Sequence, residues 1–204
     1  MRTQRAGNIR DRSPSIGGGF DVDVREYFEG ALTFEEFIEA SGNRGRSFRR
    51  NYEDAVIPED MIEEFAAGVQ DLGGVRMLVM SEAWCPDAAA NIPPMVRFME
   101  RVASRVEEPV QMYHRFRDES PELNEMLRGE GFDRIPAILL ADADYQKIGI
   151  WQERPAAAQV IVDEIKRLRE RGEDSSGLAR KLREGYQSGR LVRSALAEIS
   201  SIMG

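Results

Sequence analysis

The 204-residue sequence predicts an α/β fold: a central four-stranded mixed sheet flanked by helices, with a helical N-terminal extension and a C-terminal helical tail. Three observations carry this expectation. Short apolar runs of strand length alternate with helical segments over residues 73–171, in the order β-α-β-α-β-β. The last two runs are joined by Asp142-Ala143-Asp144, which reads as a hairpin turn. Both flanking regions carry apolar residues at helical spacing.

Taken in order, residues 1–20 combine four arginines with Gly17-Gly18-Gly19 and have almost nothing to bury, so a disordered tail is expected. Residues 21–72 read as a helical extension. Tyr27, Phe28, Leu32, Phe34, Phe37 and Ile38 supply an apolar face, and Thr33 with Glu36 forms a capping-box pair that starts a helix. Ser41-Gly42-Asn43 stops it, and a basic run from Arg44 to Arg50 follows, read first as a solvated face and secondarily as an anion site. Pro58-Glu59-Asp60 opens a helix that ends at Gly73-Gly74.

The segment 73–171 changes character. Val75-Arg76-Met77-Leu78-Val79-Met80 is a short, mostly apolar run bounded by Gly and by a polar turn, consistent with a buried strand. Residues 86–105 read as a helix with Pro93-Pro94 inside it, which predicts a kink near Asn91. Val110 to Phe116 alternates and reads as a second strand, and His114 on it is expected at the surface or hydrogen-bonded. Ser120-Pro121-Glu122 opens a short helix. Ala137–Ala141 and Gln146–Trp151 complete the strands, and Pro155 opens a long helix to about Arg171. In the tail, 172–204, Leu178, Leu182 and Tyr186 share one face. Leu191, Ala195, Ile199 and Ile202 make another, suited to packing on the core or on a second copy of the chain.

Composition narrows the chemistry. With 28 Lys+Arg against 36 Asp+Glu the formal net charge is −8, which argues against nucleic acid as a partner. No apolar run approaches the roughly 18–20 residues of a membrane helix, and no signal-like segment is seen, so a cytoplasmic location without a membrane partner is expected. One cysteine, Cys85, excludes an internal disulfide, and with the single histidine it excludes a multi-thiolate or multi-His metal centre. No cofactor and no metal is expected.

The one chemical constellation is Ser81-Glu82-Ala83-Trp84-Cys85-Pro86-Asp87-Ala88. A strand ends, a turn follows, and a helix begins at about Pro86. Cys85 therefore sits at a helix N-terminus, where unpaired N–H groups favour a thiolate. Asp87 opposes this by like-charge repulsion. It reads first as a stabiliser of the helix N-terminus, and the sharper alternative is a proton relay through Asp87 or Glu82.

With Arg117-Asp118-Glu119-Ser120-Pro121-Glu122, Ile135-Pro136 and Gly149-Ile150-Trp151-Gln152-Glu153-Arg154-Pro155, this segment resembles the thioredoxin-like superfamily, and within it a bacterial family with a W-C-G-D-A type motif, here W-C-P-D-A. The similarity spans about residues 75–165. It implies a thioredoxin-like fold in which Pro136 is a cis-proline beside Cys85. It also implies a substrate groove shaped by Trp84, Pro86, Ile135 and Pro136, with Trp84 as a lid over the cysteine loop. An ion pair among Arg117, Asp118 and Glu119 near the site is a further expectation.

Two departures matter. The place of a resolving second cysteine is Ala88, and the place of a buried acid six residues before the first cysteine is Val79. What remains is a monothiol route, in which Cys85 attacks a disulfide and an external thiol resolves the adduct. The expected function is thus a thiol-disulfide oxidoreductase-type protein acting through Cys85 alone on a disulfide-bearing protein or a low-molecular-weight thiol. The alternative is a redox-inactive thioredoxin-fold binding module. A homo-oligomer formed through the two helical flanks is a further expectation.

Overall fold

A computed structural model describes residues 22–204 of the chain. The tail assigned to residues 1–20 lies outside them. The N-terminal extension forms helices α1 (Arg25–Phe28), α2 (Phe34–Ala40), α3 (Gly45–Glu53) and α4 (Ile62–Asp71). The capping box at α2 is complete: the Thr33 hydroxyl accepts the Glu36 N–H, and the Glu36 carboxylate accepts the Thr33 N–H at 2.8 Å. The basic run after Ser41 is itself helical. Its start, Gly45, lies so close to α2 that a Cβ there would stand 2.3 Å from the Ile38 carbonyl oxygen. Glycine is what lets the α2–α3 corner close.

The sheet contains β1 (Val75–Ser81), β2 (Val110–Phe116), β3 (Ala137–Asp142) and β4 (Lys147–Gln152), in the order β2-β1-β3-β4. β1 pairs parallel with β2 and antiparallel with β3, and β3 and β4 form the antiparallel hairpin. β1 and β3 are central, so both of their faces are largely buried, which is why they read as near-continuous apolar runs rather than alternations, broken within β1 by the half-buried Arg76. In the hairpin turn the Asp142 carboxylate accepts the N–H groups of Asp144 and Gln146, both at 2.9 Å.

Helix α5 (Pro86–Ala103) connects β1 to β2, and α6 (Pro121–Gly129) lies between β2 and β3. Pro93 and Pro94 sit inside α5 and leave the carbonyls four residues back without their helical donors. The Ala89 carbonyl is met instead by the Asn51 side chain from α3, at 2.7 Å. The helix runs through both prolines from Pro86 to Ala103.

Helices α7 (Ala156–Glu170), α8 (Ser176–Gln187) and α9 (Arg190–Met203) follow. α9 packs on β4 and α5 and buries Leu191, Val192, Ala195, Leu196 and Ile199 in the same core as the sheet. Glu198 on α9 accepts the Trp151 indole N–H and the Ala156 N–H, both at 2.8 Å, tying β4 to the start of α7.

His114 departs from the sequence expectation. It is fully buried, and neither ring nitrogen has a hydrogen-bond partner among the described residues. Phe34 and Phe37 lie against it at ring-centre distances of 5.4 and 5.3 Å. The backbone of Leu32 bridges to His114 in both directions, at 2.9 and 2.8 Å, so the extension covers this strand edge. Burial pushes the imidazole down to about 3, and it stays neutral.

Candidate functional site

The turn after β1 and the start of α5 position the cysteine. Cys85 is the N-cap of α5 and Pro86 its first residue, where a missing N–H costs nothing. The Cys85 N–H donates to the Glu82 carbonyl at 3.0 Å and holds the turn shut. Cys85 is buried, with only 5% of the residue exposed. Across it lies the loop before β3, where the Ile135–Pro136 peptide bond is cis. The thiol donates to the Ile135 carbonyl at 3.5 Å.

Opposed forces act on this thiol. Burial pushes it up, and the Asp87 charge adds to that; the N–H groups of Ala88 and Asp87 and the Arg154 guanidinium pull it down. Burial wins, and Cys85 is more basic than an ordinary thiol. The helix terminus is in place, as the sequence requires, but it moderates the shift rather than reversing it.

The two candidate relay carboxylates are engaged elsewhere. Asp87 forms a two-pronged ion pair with Arg154, whose Nε is 2.9 Å from Oδ1 and whose Nη2 meets Oδ2. Arg154 also donates to Gln159 at 3.1 Å and pairs with Glu153 at 2.6 Å. Glu82 is buried and accepts the Asp118 N–H at 3.0 Å. Neither carboxylate hydrogen-bonds the sulfur among the described residues.

Trp84 is half exposed, and the Arg117 guanidinium lies 5.5 Å from its ring centre. Arg117 also pairs with Asp118 at 3.1 Å, so the segment after β2 reaches the cysteine turn. Pro86 is exposed, whereas Ile135 and Pro136 are buried beside the sulfur. Ala88, fully buried one turn along α5, offers no second thiol. No cluster of metal-ligating side chains occurs among the described residues, and no described helix is long and apolar enough to cross a membrane.

Sequence reasoning gave no role to three groups. Arg154 stands in the quoted motif, but its partner Asp87 is 67 residues away. Asn91 sends one amide group toward the Asp87 carbonyl at 2.9 Å and the Tyr186 hydroxyl at 3.1 Å. Tyr186, on α8, is driven up to about 12, chiefly by burial, and remains a protonated donor. Spacing along the chain contains no signal for the Arg154–Asp87 and Asn91–Tyr186 pairings, which span 67 and 95 residues.

Comparison with known proteins agrees with this geometry. No curated protein matches the chain. Among solved structures, an HIV epitope-scaffold aligns with a TM-score of 0.60 at 17% identity, covering 89% of this chain and 98% of its own. A protein of unknown function from Pseudomonas aeruginosa aligns with a TM-score of 0.56 at 17% identity, covering 89% and 97%. These likenesses show the fold. The family model described as Thioredoxin matches residues 31–166, reaching back over α2, α3 and α4. That match takes in the Cys85 turn, the Pro136 loop and Arg154 together, and the chain belongs to the thioredoxin family.

Proposed function

We propose that this protein carries out thiol–disulfide exchange through Cys85 as its only nucleophile. The observation that carries the reading is the position of the sulfur: at the N-cap of α5 and 3.5 Å from the Ile135 carbonyl of the loop opposite. An extended disulfide-bearing segment laid along that loop presents its sulfur to Cys85. The Cys85 thiol first gives up its proton to solvent, because no side-chain base hydrogen-bonds it among the described residues. The thiolate then attacks one sulfur of the substrate disulfide. A new Cys85–S bond forms, the substrate S–S bond breaks, and the departing thiolate takes a proton. With Ala88 in place of a second cysteine, an external low-molecular-weight thiol attacks the mixed disulfide and restores Cys85. Electrons balance as an exchange: one disulfide is consumed and one is produced.

A specific observation favours a second reading. Burial holds Cys85 more basic than an ordinary thiol, which suits a thioredoxin-fold binding module that has lost turnover. One experiment separates the two. The folded chain is incubated with oxidised glutathione, the adduct is followed by mass spectrometry, and the rate of iodoacetamide alkylation is measured across pH. Exchange requires a single adduct that reduced thiol removes. An alkylation rate that inflects above the ordinary cysteine value of about 8.5 agrees with the raised thiol. A thiol that is silent in the folded chain but reacts once the chain is unfolded refutes exchange and leaves the binding module.

A further inference from the structure

Beside the cysteine turn, on the side bounded by α3, α5, α7 and α8, lies a cleft of about 1000 Å3. It begins at Pro86 and Asp87, but the Cys85 sulfur faces the Ile135 carbonyl instead. Its volume is at the top of the range of about 300–1,000 Å3 typical of small-molecule sites. Pro94, Val162, Ile165 and Leu182 give it an apolar floor, and the Tyr186 ring closes one wall.

The charge around this floor runs against that of the chain. On a protein of formal net charge −8, five cations line the cleft: Arg50, Arg154, Lys166, Arg169 and Arg183. Among the described residues only two acids join them, Asp54 and Asp87, and Asp87 is already paired with Arg154. Lys166 has a distant partner in Asp163 at 3.9 Å. Arg50 and Arg183 have no ion pair among the described residues. The four remaining cations come from three separate helices, α3, α7 and α8, and repel one another across the cleft. An anion relieves that repulsion. The Tyr186 hydroxyl accepts from Asn91 at 3.1 Å, and its own proton goes to no acceptor among the described residues.

We propose that this cleft binds a small amphiphilic carboxylate, with its apolar body on the α5–α7 floor and its anionic head among Arg50, Arg169 and Arg183. An inorganic anion leaves the floor wet, and a neutral apolar molecule leaves the cations unmatched. Only a molecule carrying both parts uses both features. The inference is independent of exchange at Cys85.

The test is calorimetric titration of the full chain with octanoate, 1-octanol and inorganic phosphate. Octanoate is expected to bind saturably at one site, about tenfold or more tighter than either comparison ligand. A triple variant, Arg50→Glu with Arg169→Glu and Arg183→Glu, should weaken octanoate by at least about tenfold. Ala179→Trp, a substitution at an exposed position on the cleft wall, should block it with the charges intact. Circular dichroism and the urea midpoint verify folding of both, and Ala179→Trp carries the test if the triple variant does not fold. Cys85→Ser should bind as the unaltered chain does. Octanol or phosphate binding as tightly as octanoate overturns the proposal. So does unchanged octanoate affinity in Ala179→Trp, lost affinity in Cys85→Ser, or no binding up to about 5 mM.

Discussion

Lowering the pH from about 7.5 to about 5 should destabilise this protein through one side chain, by about 2 kcal/mol. His114 is the only histidine, fully buried between Phe34 and Phe37 without a hydrogen-bond partner among the described residues. Burial pushes its imidazole from 6.5 down to about 3. Below 6.5 the unfolded chain takes up a proton that the folded chain refuses. The stability this histidine contributes is therefore complete above 6.5, falls as the pH drops, and stops falling near 3. Over that window each pH unit costs at most about 1.4 kcal/mol, which gives about 2 kcal/mol at pH 5. Carboxylates ordinarily titrate near 4 and contribute little above pH 5. The assay is urea unfolding at several pH values and fixed ionic strength, extrapolated to water. His114→Leu removes the titrating ring and should flatten the profile between 7.5 and 5. It should also leave stability at pH 7.5 unchanged or higher, because a polar group without a partner leaves the core. A flat profile in the unaltered chain, or an unchanged slope in His114→Leu, refutes the reasoning.

Three further outcomes are expected. Gly45→Ala places a Cβ 2.3 Å from the Ile38 carbonyl oxygen; it should cost about 1–3 kcal/mol in urea unfolding as the α2–α3 corner is forced apart. Asn51→Ala strips the Ala89 carbonyl of its donor and should cost about 1–3 kcal/mol, with Asn51→Asp no better because a carboxylate cannot donate. Arg154→Met should move the alkylation profile of Cys85 to higher pH, since the guanidinium favours the thiolate, and Asp87→Asn should move it lower. Profiles that shift together, or not at all, would remove both groups from the electrostatics of the thiol.

Most of the fold could be read from local signals. β1 announces itself because both of its faces are covered, so its residues from Met77 to Met80 are all apolar. α2 carries its own start signal in Thr33 and Glu36. Cys85 at a helix terminus follows from a strand, a turn and a proline, all within a dozen residues. What stayed hidden depends on distant partners. His114 sits on a strand whose other side chains are half exposed, and Phe34 and Phe37, far back in the sequence, decide its burial. The helix terminus pointed toward an acidic thiol, but the covering that outweighs it comes from packing across the site, including the Ile135 loop 50 residues on. The cationic cleft draws single residues from separate helices, so no window of sequence contains it.

The Asn51 amide on the Ala89 carbonyl bears on how portable the thioredoxin unit is. Two successive prolines deprive the cysteine helix of two of its own amide protons, and a side chain from the preceding segment replaces one of those donors. A chain cut just before β1 keeps every strand and the cysteine itself, but its central helix loses that outside donor. Such a fragment is expected to exchange its α5 amides faster than the full chain does. The boundary for grafting or trimming this protein therefore belongs upstream of α3, where the helix and its donor remain on one piece.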